Sequence, residues 1–244
     1  MISSAALDMS KNLSEVILNH NDSETIRQGA PAYLLMMDSF VKKDPENEQL
    51  LIQASKLYGA YADAFTRNNP QRSKKLSDRA LNYGADAMCA ARDDACELQT
   101  IVFADFEKKI QKMEKKDLPA LFALGAAWGI RIKAHKSDWN AIADISRVES
   151  IMKKIKSMDD TYEKGAVHLY LGMMSSFLPP AMGGKPEEGR KNFERAIEIS
   201  KGENLMIKVV FARQYARLVF DRDLHDRLLK EVIEAKAEEG GIPV

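Results

Sequence analysis

No stretch of this chain alternates apolar and polar residues long enough to build a β-strand, and β-branched residues never dominate a segment. Ala, Leu, Met, Lys, Glu and Arg fill it instead, the residues that lose least on entering a helix. The chain is therefore confined to helices and the breaks between them. Breaks fall at Gly29-Ala-Pro31, Asp44-Pro45, Asn68-Asn-Pro70, Asp93-Asp94, Lys136-Ser137-Asp138, Asp159-Asp160, Pro179 through Pro186, Gly202 and Gly240-Gly241. Pro31, Pro119 and Pro186 are predicted in first turns, where a missing N–H is harmless. About ten or eleven helical segments result, with connections short enough to make successive helices antiparallel neighbours.

These helices carry a degenerate repeat. Tyr58-Gly59-x2-Ala62 precedes Ser73-x3-Ser77-x2-Ala80; Leu124-Gly125-x2-Trp128 precedes Val148-x3-Met152-x2-Ile155; Leu171-Gly172-x2-Ser175 precedes Gly189-x3-Phe193-x2-Ala196. A glycine on one helix lets the next approach closely, which is the logic of tetratricopeptide hairpins. Phe211-Ala212-x2-Tyr215 with His225-x3-Leu229-x2-Val232 is a poorer fourth unit. The glycines are unevenly spaced, against about 34 residues in a regular array. The fold expected is all-α: a solenoid of cryptic tetratricopeptide-like hairpins forming one domain over 1–244. Its units lie near 50–88, 118–158, 163–200 and 205–235, with one inserted helix near 97–115.

The stretch from Leu118 to Asp144 is the most unusual part of that array. It holds both tryptophans, Trp128 and Trp139, and its first half is crowded with small residues. Gly125 reads as a packing glycine. Gly129, one turn on, has no counterpart in the other units and is the candidate opening beside a ligand passage. Both tryptophans read as architecture.

Charge and motifs exclude several functions. Lys+Arg and Asp+Glu balance at 36 each, so no basic stripe argues for nucleic acid. No apolar run is long enough to cross a membrane as a helix. Residues 1–15 lack the basic and then apolar pattern of a secretory signal. The four histidines (His20, His135, His168 and His225) show no metal-ligand spacing, and no nucleophile elbow, phosphate loop or dinucleotide fingerprint occurs. Neither metal nor cofactor is expected, and no residue is named as catalytic. His135 and His225 read as exposed; His168 reads either as a satisfied core histidine or as part of a groove wall.

Candidate binding residues come from the first helix of each unit, the one that lines the concave face of a solenoid. They are Tyr58, Tyr61 and Phe65 at three- and four-residue steps, then Phe122, Gly129, His168, Met173 and Phe177. Arg213, four residues before Arg217, is a candidate for pairing with a carboxylate. Ordinary packing between helices is the competing reading for each. Cys89 and Cys96 are the only cysteines. On one unbroken helix they would stand about 10.5 Å apart, too far to bond; a turn at Asp93-Asp94 could join them. Free thiols and a disulfide both stay open.

Several phrases resemble a known family: RQGAPAYLLMMDSFVKKDPEN, QASKLYGAYADAF, LSDRALNYG, LPALFALGAAWG, SDWNAIADISRVE, HLYLGMMSSFLPPAMGGKPEEGRKNFERAI and ARQYARLVFDRDLHDRLL. Together, from about Arg27 to Leu229, they are similar to the T component (TatT) of tripartite ATP-independent periplasmic (TRAP) transporters. That resemblance implies a non-catalytic periplasmic lipoprotein, a homotrimer that docks the transporter's solute-binding protein and passes an apolar or amphipathic ligand through a hydrophobic passage. The lipidated cysteine it implies near the N-terminus is not among these residues. An oxidising periplasm favours a Cys89–Cys96 disulfide. The alternative is a tetratricopeptide-like scaffold that binds protein segments and has no small-molecule passage.

Overall fold

The computed structural model describes residues 22–235, with 7–9, 12–13, 16–17 and 20 before them. Among these every regular element is helical and none is a strand. Among the described residues the chain packs as two compact units, one ending at Arg147 and one beginning at Val148.

The first unit contains α1 (Ser23–Lys43), α2 (Glu48–Phe65), α3 (Pro70–Ala91), α4 (Phe103–Gln111), α5 (Leu118–Ala134) and α6 (Trp139–Ala143), and then the start of α7 (Ile145–Met158). Side chains at the breaks start the helices: Asn47, Asn69 and Asp138 accept N–H bonds from Leu50, Arg72 and Asn140. Pro70 and Pro119 then occupy first turns. α2, α3 and α5 each pack on the other two, and α1 packs on α2. Small residues make that sheaf tight. A Cβ on Gly59 would stand 3.0 Å from Ile130 Cδ1, and one on Gly84 3.0 Å from the Cα of Leu124. Gly84 of α3, which the repeat pattern does not single out, thus lets α3 come against the backbone of α5.

Gly29-Ala-Pro31 is not a break, and Pro31 is not in a first turn. α1 runs through it. A proline there removes the N–H that would bond the Arg27 carbonyl. The hydroxyl of Tyr61 donates to that same carbonyl at 3.1 Å, so the orphaned acceptor is satisfied from the neighbouring helix. The inserted helix is also shorter than 97–115: it is α4, nine residues long, preceded by turns in which Thr100 and Ile101 bond back to the Glu97 carbonyl.

Those turns begin at a disulfide. α3 stops at Ala91, a short 3-10 turn spans Asp93–Ala95, and Cys89 is bonded to Cys96 with their Cα atoms 4.2 Å apart. The reversal aims Arg92 at Asp94 (3.0 Å) and at buried Asp117 (3.3 Å), the N-cap of α5. A bridge over so short a loop stabilises by about 2–3 kcal/mol. Reductant is therefore expected to lower the urea midpoint of the wild-type protein and leave that of a Cys89→Ser/Cys96→Ser variant unchanged. Equal midpoints with and without reductant in the wild type would contradict this.

The second unit contains most of α7, α8 (Tyr162–Ser175), α9 (Pro186–Ile199), α10 (Leu205–Val210) running into a π turn (Phe211–Ala216), and α11 (Arg222–Glu234). Glu163, Lys164 and Gly165 have φ of 49°, 54° and 85°, so regular turns of α8 begin only after Gly165. α8 and α9 pack face to face, with the Phe193 ring 3.0 Å from where a Cβ on Gly172 would sit. Phe193, Ile207, Phe211, Tyr215, Leu224 and Leu228 form the core beneath them.

Three single-residue expectations fail. His135 is not exposed: its side chain is largely buried 3.0 Å from Asp78. His225 is partly buried beside Asp226. Trp139 is 72% exposed and is not a packing residue; Asp138 caps α6 and leaves the indole on the outside of its first turn.

Candidate functional site

In the first unit the candidate aromatics are occupied with packing. Tyr58 is 3% exposed, and its hydroxyl donates to Asp38 Oδ2 at 2.8 Å. Tyr83 donates to the other oxygen of Asp38 at 2.6 Å, and Arg79 pairs with the same carboxylate while lying over both rings. Burial, and then the carboxylate beside it, hold the Tyr58 phenol far above its ordinary range. Tyr61 supports the α1 proline, and its ring lies 5.4 Å from that of Phe65, which is half-buried. Phe122 is buried with Lys56 Nζ 5.9 Å from its ring centre. Gly129 is buried in α5. Tyr58, Tyr61, Phe65, Phe122 and Gly129 thus belong to one unit, and the first four are engaged by neighbouring side chains or backbone.

His168, Met173, Phe177 and Arg213 belong to the second unit. Met173 packs against the core cluster and its carbonyl accepts from Gln214 at 2.9 Å. Phe177 is half-buried just beyond α8. Arg213 is exposed on the π turn, which alters the register that a four-residue step to Arg217 assumes.

His168 stands at a groove. A cavity of about 400 Å³ is walled by α7, α8, α9 and the α7–α8 connection. Each helix presents a stripe at three- and four-residue steps: Glu149, Lys153 and Lys156; His168, Leu171 and Ser175; Glu188, Lys191, Asn192 and Arg195. The imidazole is 1% exposed and held on both sides. Nδ1 lies 3.0 Å from Asn192 Oδ1, and the Asn192 amide is oriented by its own bond to the Glu188 carbonyl. Nε2 lies 2.8 Å from Asp160 Oδ1. The second oxygen of Asp160 accepts from Arg195 at 2.8 Å. The Arg195 guanidinium, with His168 adding to it against the opposing pull of burial, keeps that carboxyl below the usual carboxylate range.

Both ring nitrogens are thus engaged within the protein, Nδ1 by Asn192 and Nε2 by Asp160. The groove is lined mainly by polar and charged side chains around this His168–Asp160–Arg195 chain. Lysines 153, 156 and 191 line its rim, of which Lys153 is tied to Glu149 at 2.6 Å. The sequence reading names His168 and misses Asp160, Asn192 and Arg195. The signal for them is the polar stripe 188-191-192-195 on a helix whose buried side carries Phe193 and Ala196. The pairing to Asp160 crosses from another element and leaves no local trace.

The family model described as TRAP transporter T-component matches residues 19–241. The chain belongs to this family. It is thereby a component of TRAP transport, and the match spans both units, with their disulfide and their groove. No curated protein matches the T-component sequence. No helix among the described residues is long and apolar enough to cross a membrane.

Proposed function

We propose that this T-component is a non-catalytic accessory protein of a TRAP-type transport system, working in the periplasm, where it binds the system's solute-binding protein. The observation that carries the reading is the family match over 19–241. A Cys89–Cys96 disulfide suits an oxidising compartment. Anchoring as a lipoprotein and assembly as a homotrimer complete the reading. The arrangement proposed for its helices is tetratricopeptide-like, and two glycine-mediated helix pairs support it: Gly59 of α2 beneath α3, 3.8 Å from Ala80, and Gly172 of α8 beneath Phe193 of α9.

A hydrophobic passage along the first helices is the finer part of the proposal. Half-buried Met173 and Phe177 in the second unit favour it. The scaffold reading, repeats without a small-molecule passage, is favoured in the first unit by Tyr58, Tyr61 and Phe122, buried side chains that fill the space between helices. Native mass spectrometry of the protein purified from its own host separates them. A trimer carrying solute-binding protein and an added small-molecule mass supports the passage, and the same assembly without that mass supports the scaffold. A bare single chain contradicts both.

A further inference from the structure

The groove at His168 carries more cations than its own acids neutralise. Three carboxylates line it, and each already has a cationic partner. Glu149 holds Lys153 at 2.6 Å, Asp160 holds Arg195 at 2.8 Å, and Glu188 lies 3.7 Å from Lys185. Acids just outside are engaged as well: Asp159 accepts from the Thr161 N–H at 2.9 Å, Glu194 pairs with Arg190 at 2.8 Å, and Glu198 pairs with Arg195 at 2.8 Å. Lys156 of α7 and Lys191 of α9 meet no carboxylate among the described residues. Each stands four residues before its own member of the Asp160–Arg195 tie, so the two lysines flank that tie on separate walls.

The size and lining of the groove suit an organic molecule. Its volume, about 400 Å³, lies within the range of small-molecule sites. Leu171 gives α8 an apolar wall, and Ser175, four residues on, adds a hydroxyl with no partner among the described residues. Strain is held in the connection that carries Asp160. Glu163 and Lys164 have φ of 49° and 54°, a left-handed backbone that residues other than glycine rarely take. Such strain persists only where its surroundings fix it, and it gathers at ligand sites. Here Arg195 pins Asp160 on one side, and on the other Gly165 is pressed on α9, where a Cβ would stand 3.1 Å from Ile199 Cβ.

We propose that this groove binds a small organic dicarboxylate. One carboxylate pairs with Lys156, the other with Lys191, and the carbon chain between them lies on Leu171. The lining acids are already neutralised, so the two lysines left over set the sign of the ligand. Their placement on separate walls sets its valence, because a monocarboxylate satisfies one wall only. The inference goes beyond the proposed function and does not depend on it: every residue of the site belongs to the second unit of a single chain.

Calorimetric titration of the purified full chain with succinate and with glutarate tests it. At low ionic strength one of the two is expected to bind saturably with Kd below about 1 mM, to weaken as salt is raised, and to bind about fivefold or more tighter than butyrate. Lys156→Gln and Lys191→Gln change exposed side chains and leave the fold intact. Each should weaken binding about fivefold or more, whereas Lys112→Gln, an equal change of charge on the first unit, should leave it unchanged. Absence of saturable binding by both dicarboxylates overturns the inference. Equal weakening by K112Q overturns it too, because the overall charge of the protein would then be what is felt. Sulfate binding as tightly as the dicarboxylates would mark a plain anion site and overturn the assignment. Each of these failures leaves the docking of the solute-binding protein standing.

Discussion

Trp128→Ala is expected to destabilise the protein by about 3–5 kcal/mol, the range for emptying a fully buried aromatic site. Trp128 is 1% exposed and joins three elements. Its indole meets Phe106 of α4 edge-on at 5.9 Å and donates to Asp144 Oδ2 at 3.1 Å. The Arg147 guanidinium lies 5.7 Å from its centre and also holds the Leu98 and Ile101 carbonyls at 3.3 and 2.5 Å. Alanine would leave a cavity and would also remove the donor that Asp144 uses. Trp128→Phe keeps most of the volume and should lose an intermediate amount. Urea denaturation followed by far-UV circular dichroism measures both. A loss under about 1 kcal/mol for W128A, the size of an ordinary surface change, would show that this packing is not what ties α4 and α6–α7 to α5.

In the second unit the corresponding change is Phe193→Ala, again about 3–5 kcal/mol. The ring is fully buried, stacked on Phe211 at 4.9 Å, and presses its other side on Gly172. This close approach gives a second, sharper expectation. With Phe193 present, a Cβ at position 172 lies 3.0 Å from the ring, so Gly172→Ala forces the ring to move and destabilises. With Phe193 replaced by alanine the crowding is gone, and the same substitution fills space and gains about 1 kcal/mol of helix propensity. The sign of Gly172→Ala should therefore invert between the two backgrounds, a coupling that a double-mutant cycle reads directly. Equal effects in both would mean that the α8–α9 approach is not set by this contact.

What the sequence revealed, and what it hid, divides along the range of the interactions concerned. Helix ends set by neighbouring residues were legible: Asn69 before Pro70, Pro119, Pro186 and the Asp44-Pro45 break are all local signals that capping and proline geometry translate directly. The packing glycines Gly59 and Gly172 were legible through the repeated helix-pair pattern, although their contacts lie further along the chain. Features set by a partner distant in the chain were not. Pro31 is a break by every local rule and stays helical because Tyr61, thirty residues on, supplies the missing donor. Gly84 looks like any helical glycine until Leu124 is brought against it.

The candidate site divides in the same way. His168 stood out as one of four histidines, but Asp160 and Arg195 acquire meaning only when the α7–α8 connection folds across α9. Aromatic residues at helical spacing gave little discrimination: Tyr58, Tyr61 and Phe122 are buried between helices, while Trp139, read as packing, is on the surface. Glu163 and Lys164 drew no attention because a left-handed backbone has no signature when the residue in it is not glycine or asparagine.

The measurement closest to the central claim is calorimetric titration of the purified T-component with the solute-binding protein of its own TRAP system. A saturable isotherm with a fixed stoichiometry is expected, with a negative heat-capacity change reflecting apolar surface buried at the contact. An injection series that shows no heat of binding at several temperatures would contradict the claim that this protein acts by docking that partner.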